Sequence, residues 1–225
     1  MTIDQQASTR RGDLVPGLLA DLGSLVGEQP DAEQGLVLPF ERTVGDEVQA
    51  LIADAALVVT IVRALARDGG WSIGVGIGPV NQPLGESSRA ASGAAFVHAR
   101  AAVERAKSTS GEVALAVDGD RDLHARYAEA ALRMLGATIA RRSRTGWQAV
   151  DALAPRSATR VTGSREDEPA LVAPVTAARL RSQKEIAEML GITQQAVSQR
   201  LRTALWHEEA AAVPLVEFLL SEADA

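Results

Sequence analysis

The amino-acid sequence predicts two domains of different class: an α+β domain over residues 1–140, followed by an all-α domain over residues 141–225. Three observations support this prediction. Helical and strand-like periodicities alternate up to about residue 140, a helix-turn-helix pattern spans residues 182–204, and the balance of charge reverses between the two parts. A sheet with helices packed on one face accommodates the element order of the first domain.

The composition is that of a folded globular protein: 225 residues, of which 46% are hydrophobic and 23% charged. The absence of cysteine excludes disulfides, thiolate nucleophiles and cysteine-ligated metals, and three scattered histidines argue against a histidine-rich metal site. The N-terminal residues are polar, and no stretch approaches the roughly 18 apolar residues of a membrane span. We therefore expect a cytoplasmic protein with no membrane segment.

The first domain begins with a predicted helix, because leucines recur at helical spacing between residues 14 and 25. After a polar loop over residues 27–35, residues 36–43 and 48–52 are predicted to form two strands joined by a tight turn at Gly45-Asp46. An apolar stripe then predicts a helix over residues 54–67, which Gly69-Gly70 ends.

The next predicted strand, over residues 71–79, alternates large apolar residues with Ser72, Gly74, Gly76 and Gly78. One face of this strand is therefore almost bare, which indicates close approach by a packed helix or by a ligand. Both interpretations remain open from the sequence. A loop over residues 82–92, a helix over 93–107, a strand over 112–117 and a helix over 120–138 complete the domain.

The second domain is predicted to be helical. A short helix surrounds Trp147, a polar linker covers residues 157–174, and an apolar helix follows Trp206. We expect this last helix either to close the helical domain or to pair with a second copy of the chain.

Residues 182–204 match the helix-turn-helix pattern position by position. Ala187 is small where the second helix crosses the first, Gly191 supplies the left-handed backbone of the turn, and Thr193 caps the second helix through its hydroxyl. The alternative is a helical hairpin that only packs, or that contacts another protein.

With its apolar residues turned inward, the motif presents a polar outer face suited to reading bases in the major groove. The predicted base-reading residues are Thr193, Gln194, Gln195, Ser198 and Gln199. The predicted phosphate anchors are Arg181, Lys184, Arg200 and Arg202.

The charge distribution favours a nucleic-acid partner for the second domain alone. Between Arg141 and Trp206 there are 11 basic and six acidic residues, a net charge of +5, which leaves −11 for the rest of a chain whose total is −6. Neutralising phosphates requires such a local excess of positive charge. We therefore expect double-stranded DNA as the partner and, because single-motif readers reach two half-sites as dimers, a homodimer.

Residues 40–51, 71–80 and 92–106 resemble the SatD family of bacterial proteins, and the resemblance covers most of residues 1–140. Actinobacterial members of that family pair this domain with a C-terminal helix-turn-helix. The family is similar, more distantly, to the palm-like catalytic domains of class III nucleotide cyclases and diguanylate cyclases. The resemblance implies a cyclase-like, ferredoxin-like α+β fold for the N-terminal domain.

The cyclase resemblance also implies a ligand site. Asp4 and Asp46 stand where cyclases hold the divalent ions that polarise a triphosphate, which implies Mg²⁺ together with a nucleotide. The other residues of this candidate ligand site are Glu47, Gly74, Gly76 and Arg100.

Three departures from the cyclase pattern weigh against catalysis. Phe96 stands where cyclases carry an asparagine, and Val44 replaces the first hairpin glycine. Only three residues precede Asp4, so the first strand is either degenerate or begins upstream of Met1.

Together these patterns predict a sequence-specific DNA-binding transcriptional regulator in which the N-terminal domain acts as a sensor or dimerisation module, with no catalytic residue. The alternative is a metal-dependent nucleotide-processing enzyme, cyclase-like, with an accessory helix-turn-helix domain. That alternative requires Asp46 to be essential.

Overall fold

The structure is a computed structural model that describes residues 1–27, 35–153 and 180–225. The predicted linker over residues 157–174 and most of the predicted loop over 27–35 lie outside the described residues. Within the described part, the chain forms an α+β unit and a helical unit, and the predicted fold class is confirmed.

Five strands form one sheet in the order β2-β3-β1-β4-β5. The strands are β1 Thr2–Gln5, β2 Leu36–Arg42, β3 Glu47–Ile52, β4 Trp71–Ile77 and β5 Ala114–Gly119. All neighbours are antiparallel except β4 and β5, which are parallel. The first four strands therefore follow the order of a ferredoxin-like β-α-β-β-α-β unit, with β5 added at one edge.

The helices connect and cover this sheet and then form the helical unit. Those described are α1 Ser8–Arg11, α2 Val15–Gly27, α3 Ala55–Asp68, α4 Ala94–Lys107, α5 Asp122–Ala140, α6 Arg144–Leu153, α7 Gln183–Leu190, α8 Gln194–Thr203 and α9 Trp206–Asp224. None of the helices in these ranges is long and apolar enough to cross a membrane.

Local sequence explains how α3 begins and ends. Asp54 caps its N-terminus by accepting a hydrogen bond from the amide of Ala56, and Gly69 leaves the helix at a φ of 73°. Ile61 and Leu65 are completely buried in the main core, against the sheet residues Ile73 and Leu115. The core is aliphatic, and each such side chain contributes roughly 1.5–3 kcal/mol on burial.

The expectation that helices cover one face of the sheet is wrong for α4. Odd-numbered residues of β4 face the main core, which α2, α3 and α5 also line, whereas Gly74 and Gly76 face α4 on the opposite side. A parallel β4–β5 connection must cross over the sheet, and the bare glycine face lets this crossover helix pack closely. The sheet is therefore covered on both faces.

The strand β1 lies at the centre of the sheet, with Ile3 fully buried between β3 and β4. Four residues are too few to show a periodicity, so only the family resemblance indicated this strand. The amino group of Met1 is also buried, and burial lowers its pKa to about 5.

The C-terminal helix α9 packs against both units, so it does more than close the helical domain, which was one of the two expectations for it. Its first residue, Trp206, joins the small core of α6, α7 and α8. Further along, Val216, Leu220 and Ala223 pack into the core of the α+β unit, alongside α3 and α5. The last helix thus connects the two units instead of belonging to one of them.

Candidate nucleic-acid interface

The two helices of the predicted motif, α7 and α8, are joined by a three-residue turn. Gly191 adopts a left-handed conformation at φ 63°, and the Thr193 hydroxyl accepts a hydrogen bond of 3.1 Å from the amide of Ala196. Ser182 begins α7 with a complete capping box, in which Glu185 reaches back to the Ser182 amide at 2.7 Å. The turn and the Thr193 cap therefore form as the sequence predicted, and the Ser182 capping box is an addition from the structure.

The inward face of the motif is apolar and closed. Ile186 and Val197 are completely buried, and Ala187 and Leu201 are nearly so. They pack against α6, which supplies Ala149, Val150, Ala152 and Leu153. Helices α6 and α7 thus hold α8 in a fixed orientation.

The outward face of α8 presents most of the predicted base-reading side chains to solvent. The exposed residues are Thr193, Gln194, Gln195, Gln199 and Arg202, and Ser198 is half-buried. Gln194 and Gln195 lie in the first turn of the helix, whose N-terminal part contacts base edges in helix-turn-helix complexes, and Gln199 lies one turn further along.

The four predicted phosphate anchors occupy different environments. Lys184 and Arg202 are exposed, and Arg200 is half-buried and lies 3.4 Å from the side-chain oxygen of Gln148 on α6. Arg181 donates to the carbonyl oxygen of Ala152 at 3.1 Å. Arg181 therefore ties the start of the motif to α6, and Lys184 and Arg202 offer the more accessible cations.

Two arginines counted in the positive excess of the second domain are already paired with carboxylates of the chain. Arg142 is completely buried, and its guanidinium donates to Glu209 and, at 3.0 Å, to the carbonyl of Ala204. Arg141 pairs with Glu112 at 2.7 Å. The surface available to phosphates is therefore less positive than the count along the chain indicates.

A buried polar network joins the helical unit to the α+β unit. Glu209 on α9 accepts from Arg142 with one oxygen and from Arg63 on α3 with the other, at 2.9 Å from Arg63 Nε. Arg67 forms a two-point pair with Asp151 at 2.7 and 2.8 Å. These contacts fix the position of the helical unit, and with it α8, relative to the sheet.

An aromatic side chain completes this network. The guanidinium carbons of Arg67 and Arg142 lie 3.9 and 4.4 Å from the ring centre of Trp147, a cation–π geometry. Sequence reasoning missed the network, because its members are up to 146 residues apart. The arginines close to Trp147 in the sequence were the available signal, and they were counted only as part of the positive excess of the second domain.

The candidate ligand site in the N-terminal domain is occupied by ion pairs within the chain. Asp4 pairs with Lys107 at 2.9 Å, and Glu47, its neighbour across the strands, pairs with Arg100 at 2.9 Å. Both cations come from α4. Lys107 was not among the predicted site residues, although its place at the end of the helix after the glycine strand was visible in the sequence.

Burial and neighbouring charges shift the pKa values of both Asp4 and Lys107. Burial raises the pKa of Asp4, and the charges of Asp46 and Glu47 add to this effect, which together outweigh Lys107. Burial lowers the pKa of Lys107, but Glu104 and Asp4 outweigh it and hold that pKa above its usual value. Burial is thus the main cause of the Asp4 shift, whereas the neighbouring carboxylates cause the Lys107 shift.

Asp4 and Lys107 border a polar cleft of about 470 Å³, which Gln6, Ser72 and Glu112 also line. Asp46 does not line it. Among the described residues, no group of three or more histidine, aspartate or glutamate side chains is arranged to hold a metal ion.

The two strand glycines named as ligand contacts serve helix packing instead. A Cβ on Gly74 would stand 2.3 Å from the carbonyl oxygen of Ala99, and one on Gly76 would stand 2.1 Å from the amide nitrogen of the same residue. Of the two interpretations of the bare strand face, the structure shows the packed helix.

At the far end of α4, His98 bridges two carboxylates of the β5 end. Its Nδ1 lies 3.2 Å from Asp118 and its Nε2 lies 3.0 Å from Asp120. Burial lowers the pKa of His98, but the hydrogen bonds and charges of the two aspartates outweigh it and raise that pKa above the usual value.

Residues 179–207 match the family model described as Sigma-70, region 4. The match begins just before α7 and ends in the first turn of α9, so it covers the helix-turn-helix and a small part of the whole chain. The chain therefore carries a helix-turn-helix region of a DNA-binding, transcription-related kind. No curated protein and no solved structure matches the chain.

Proposed function

We propose that the protein is a sequence-specific DNA-binding transcriptional regulator that acts in the cytoplasm. The observation that carries the proposal is the exposed row of glutamines at the start of α8, on a helix whose turn, caps and buried face are those of a helix-turn-helix. Glutamine can form two hydrogen bonds with adenine, which makes this row suited to reading bases.

In this proposal Gln194, Gln195, Ser198 and Gln199 read base edges, and Thr193 also lies at the groove. Arg202, Lys184 and Arg200 contact phosphates. Arg181 supports them by holding the start of α7 against α6. Because α6 and α7 pack against the inner face of α8, its outer face is free to contact DNA.

For the N-terminal domain we propose the role of sensor or dimerisation module, in line with its resemblance to the SatD family and to cyclase-like domains. The cleft beside Asp4 is the proposed entry for a small ligand, and a nucleotide with Mg²⁺ is the ligand that the resemblance implies. Such a ligand would have to displace Lys107 from Asp4 before a metal ion could bind there.

The test of DNA binding separates base reading from phosphate contact. Purified protein is incubated with a random-sequence duplex pool, and the retained fragments are sequenced and used as probes. Gln195→Ala should change the preferred sequence and cost about 1–3 kcal/mol on the wild-type site. Arg202→Ala should weaken binding to all sequences alike and reduce the salt slope by about 1.

A matched control for Arg202→Ala is Arg126→Ala, because Arg126 is also exposed but lies on α5 of the α+β unit. We expect Arg126→Ala to leave DNA affinity unchanged. Wild-type protein that retains no duplex at low salt, or a Gln195→Ala variant that selects the wild-type sequence with unchanged affinity, would show that the proposal is wrong.

A further inference from the structure

The outer surface of the α5–α9 pair carries a row of exposed apolar side chains. On α5 the row follows the spacing of four, three and four residues that is typical of a helix–helix seam. Its members are Leu123, Tyr127, Ala130 and Met134 on α5, and Leu215 and Phe218 on α9. The five large side chains among them are between 52% and 74% exposed.

The two helices run antiparallel, side by side, so their exposed rows lie on one surface. Arg121, just before α5, donates to the carbonyl of Glu222 near the end of α9, while Arg142, just after α5, contacts Glu209 near the start of α9. Val216 and Leu220 of α9 pack into the core, whereas Leu215 and Phe218 lie outside that buried side of the helix and are exposed.

The exposed area is large enough to suggest a protein partner. Each of the five large side chains exposes roughly 100 Å²: for Tyr127 and Phe218 this is about half of the 150–250 Å² that a fully buried aromatic covers, and the leucines and the methionine expose a comparable area. Together they expose about 500 Å², which is within the range of the largest apolar patches on monomeric proteins, and such patches are often functional. One partner in a standard interface buries about 800 Å², so this face supplies more than half of that area.

We infer that this face is the docking surface for a second copy of the chain. The inference rests in one respect on the proposed function, because a reader with one recognition helix reaches two half-sites as a dimer. Two α5–α9 pairs meeting across a two-fold axis form a four-helix arrangement, which is a common way to bury such rows.

The position of the face along α9 agrees with this partner. Helix α9 begins at Trp206, directly after Ala204 and Leu205, which follow the recognition helix. Leu215 and Phe218 lie nine to twelve residues further along, or about 14–18 Å at 1.5 Å per residue. With the two copies of α9 antiparallel, the starts of the two α9 helices, each directly after a helix-turn-helix, lie about 28–36 Å apart along the axis, a separation comparable to the roughly 34 Å between half-sites.

Sedimentation velocity from about 1 to 100 µM tests the docking surface. We expect wild-type protein to reach twice the 23.6 kDa of one chain. Phe218→Glu and Tyr127→Glu should each raise the dissociation constant of the dimer by about 30-fold or more. Val97→Glu is the matched control, because Val97 is 69% exposed but lies on α4, across the sheet.

Circular dichroism of each variant checks that it is folded. Cross-linking provides a second test that does not rely on introducing a charge into the surface. Because the chain has no cysteine, Leu215→Cys and the control Val97→Cys each introduce a single thiol. A short bismaleimide should join two copies of the Leu215→Cys variant only. A monomeric wild type at 100 µM, or a dimer that the α4 control weakens equally, overturns the inference.

Retention of a random-sequence duplex of about 30 base pairs, measured in parallel, keeps the two proposals separate. A dimer that depends on Phe218 but retains no DNA supports the docking surface and contradicts DNA binding. A monomer that retains DNA does the reverse.

Discussion

Replacing Glu209 by alanine is the substitution that we expect to destabilise the protein most clearly. Its side chain is only 3% exposed, and its two oxygens serve two arginines, Arg63 and the fully buried Arg142. Removing one partner of a buried ion pair leaves uncompensated charge in the interior and costs about 3–5 kcal/mol. Against a total stability of about 5–15 kcal/mol, this loss is roughly a fifth or more of the folding free energy.

Urea unfolding followed by tryptophan fluorescence measures this loss, because two of the tryptophans lie next to the buried network. Trp147 stacks under Arg142, and Trp206 lies in the helical core close to Glu209. Glu208→Ala is the matched control, since Glu208 is the exposed neighbour in the same first turn of α9. We expect the control to change stability by less than about 1 kcal/mol, the size of a charge effect at a helix end.

A loss below about 1 kcal/mol for Glu209→Ala, equal to that of Glu208→Ala, would refute this reasoning. A second variant tests the mechanism. Replacing Arg63, Arg142 and Glu209 together by methionine should recover most of the lost stability, because an apolar substitute for a complete buried network is often neutral. If the triple variant is as unstable as Glu209→Ala, lost packing explains the effect and the uncompensated charge does not.

Three further predictions follow from the local geometry. Gly76→Ala should cost about 3 kcal/mol or prevent folding, because its Cβ meets backbone on α4, whereas Gly23→Ala on the open face of α2 should be neutral or stabilise by up to about 1 kcal/mol; equal urea midpoints for the two would contradict the packing. Ser182→Ala should lower stability by about 1 kcal/mol through loss of the capping box, and an unchanged melting temperature would contradict this. Because its pKa is raised in the folded state, His98 should stabilise the protein fully below pH about 6.5, and that contribution should be lost as the pH rises through the folded pKa. The stability difference between wild type and His98→Asn measured from pH 5 to 9 should shrink accordingly, and a constant difference would be inconsistent with the two aspartate contacts.

The elements that the sequence predicted are those with strong local signals. The turn glycine Gly191, the cap Thr193 and the small residue Ala187 each act within a few residues, so their pattern appears directly along the chain. The hairpin at Gly45 and the helix end at Gly69 were predicted for the same reason. The strand β1 was too short to show a period, and it took its place only because β3 and β4 pair with it on both sides.

The same distinction holds for the candidate nucleic-acid interface, where the sequence predicted one feature and not another. Which side chains of α8 face outward follows from the helical period, and the sequence determined it. Which of the nearby arginines remain free for a phosphate does not follow from any local rule. Arg142 is buried because Glu209, 67 residues later, returns to it on a helix that packs against the sheet.

The sequence by itself determined the α+β class, the helix-turn-helix and the polar surface of its second helix, since these depend on periodicity, caps and turns within one segment. Only the tertiary structure decided that α4 packs on the glycine face of β4, that Lys107 forms an ion pair with Asp4, and that α9 connects the two units. The physical reason is that burial and ion pairing depend on which distant surfaces meet. A count of charges along the chain contains no information about that choice.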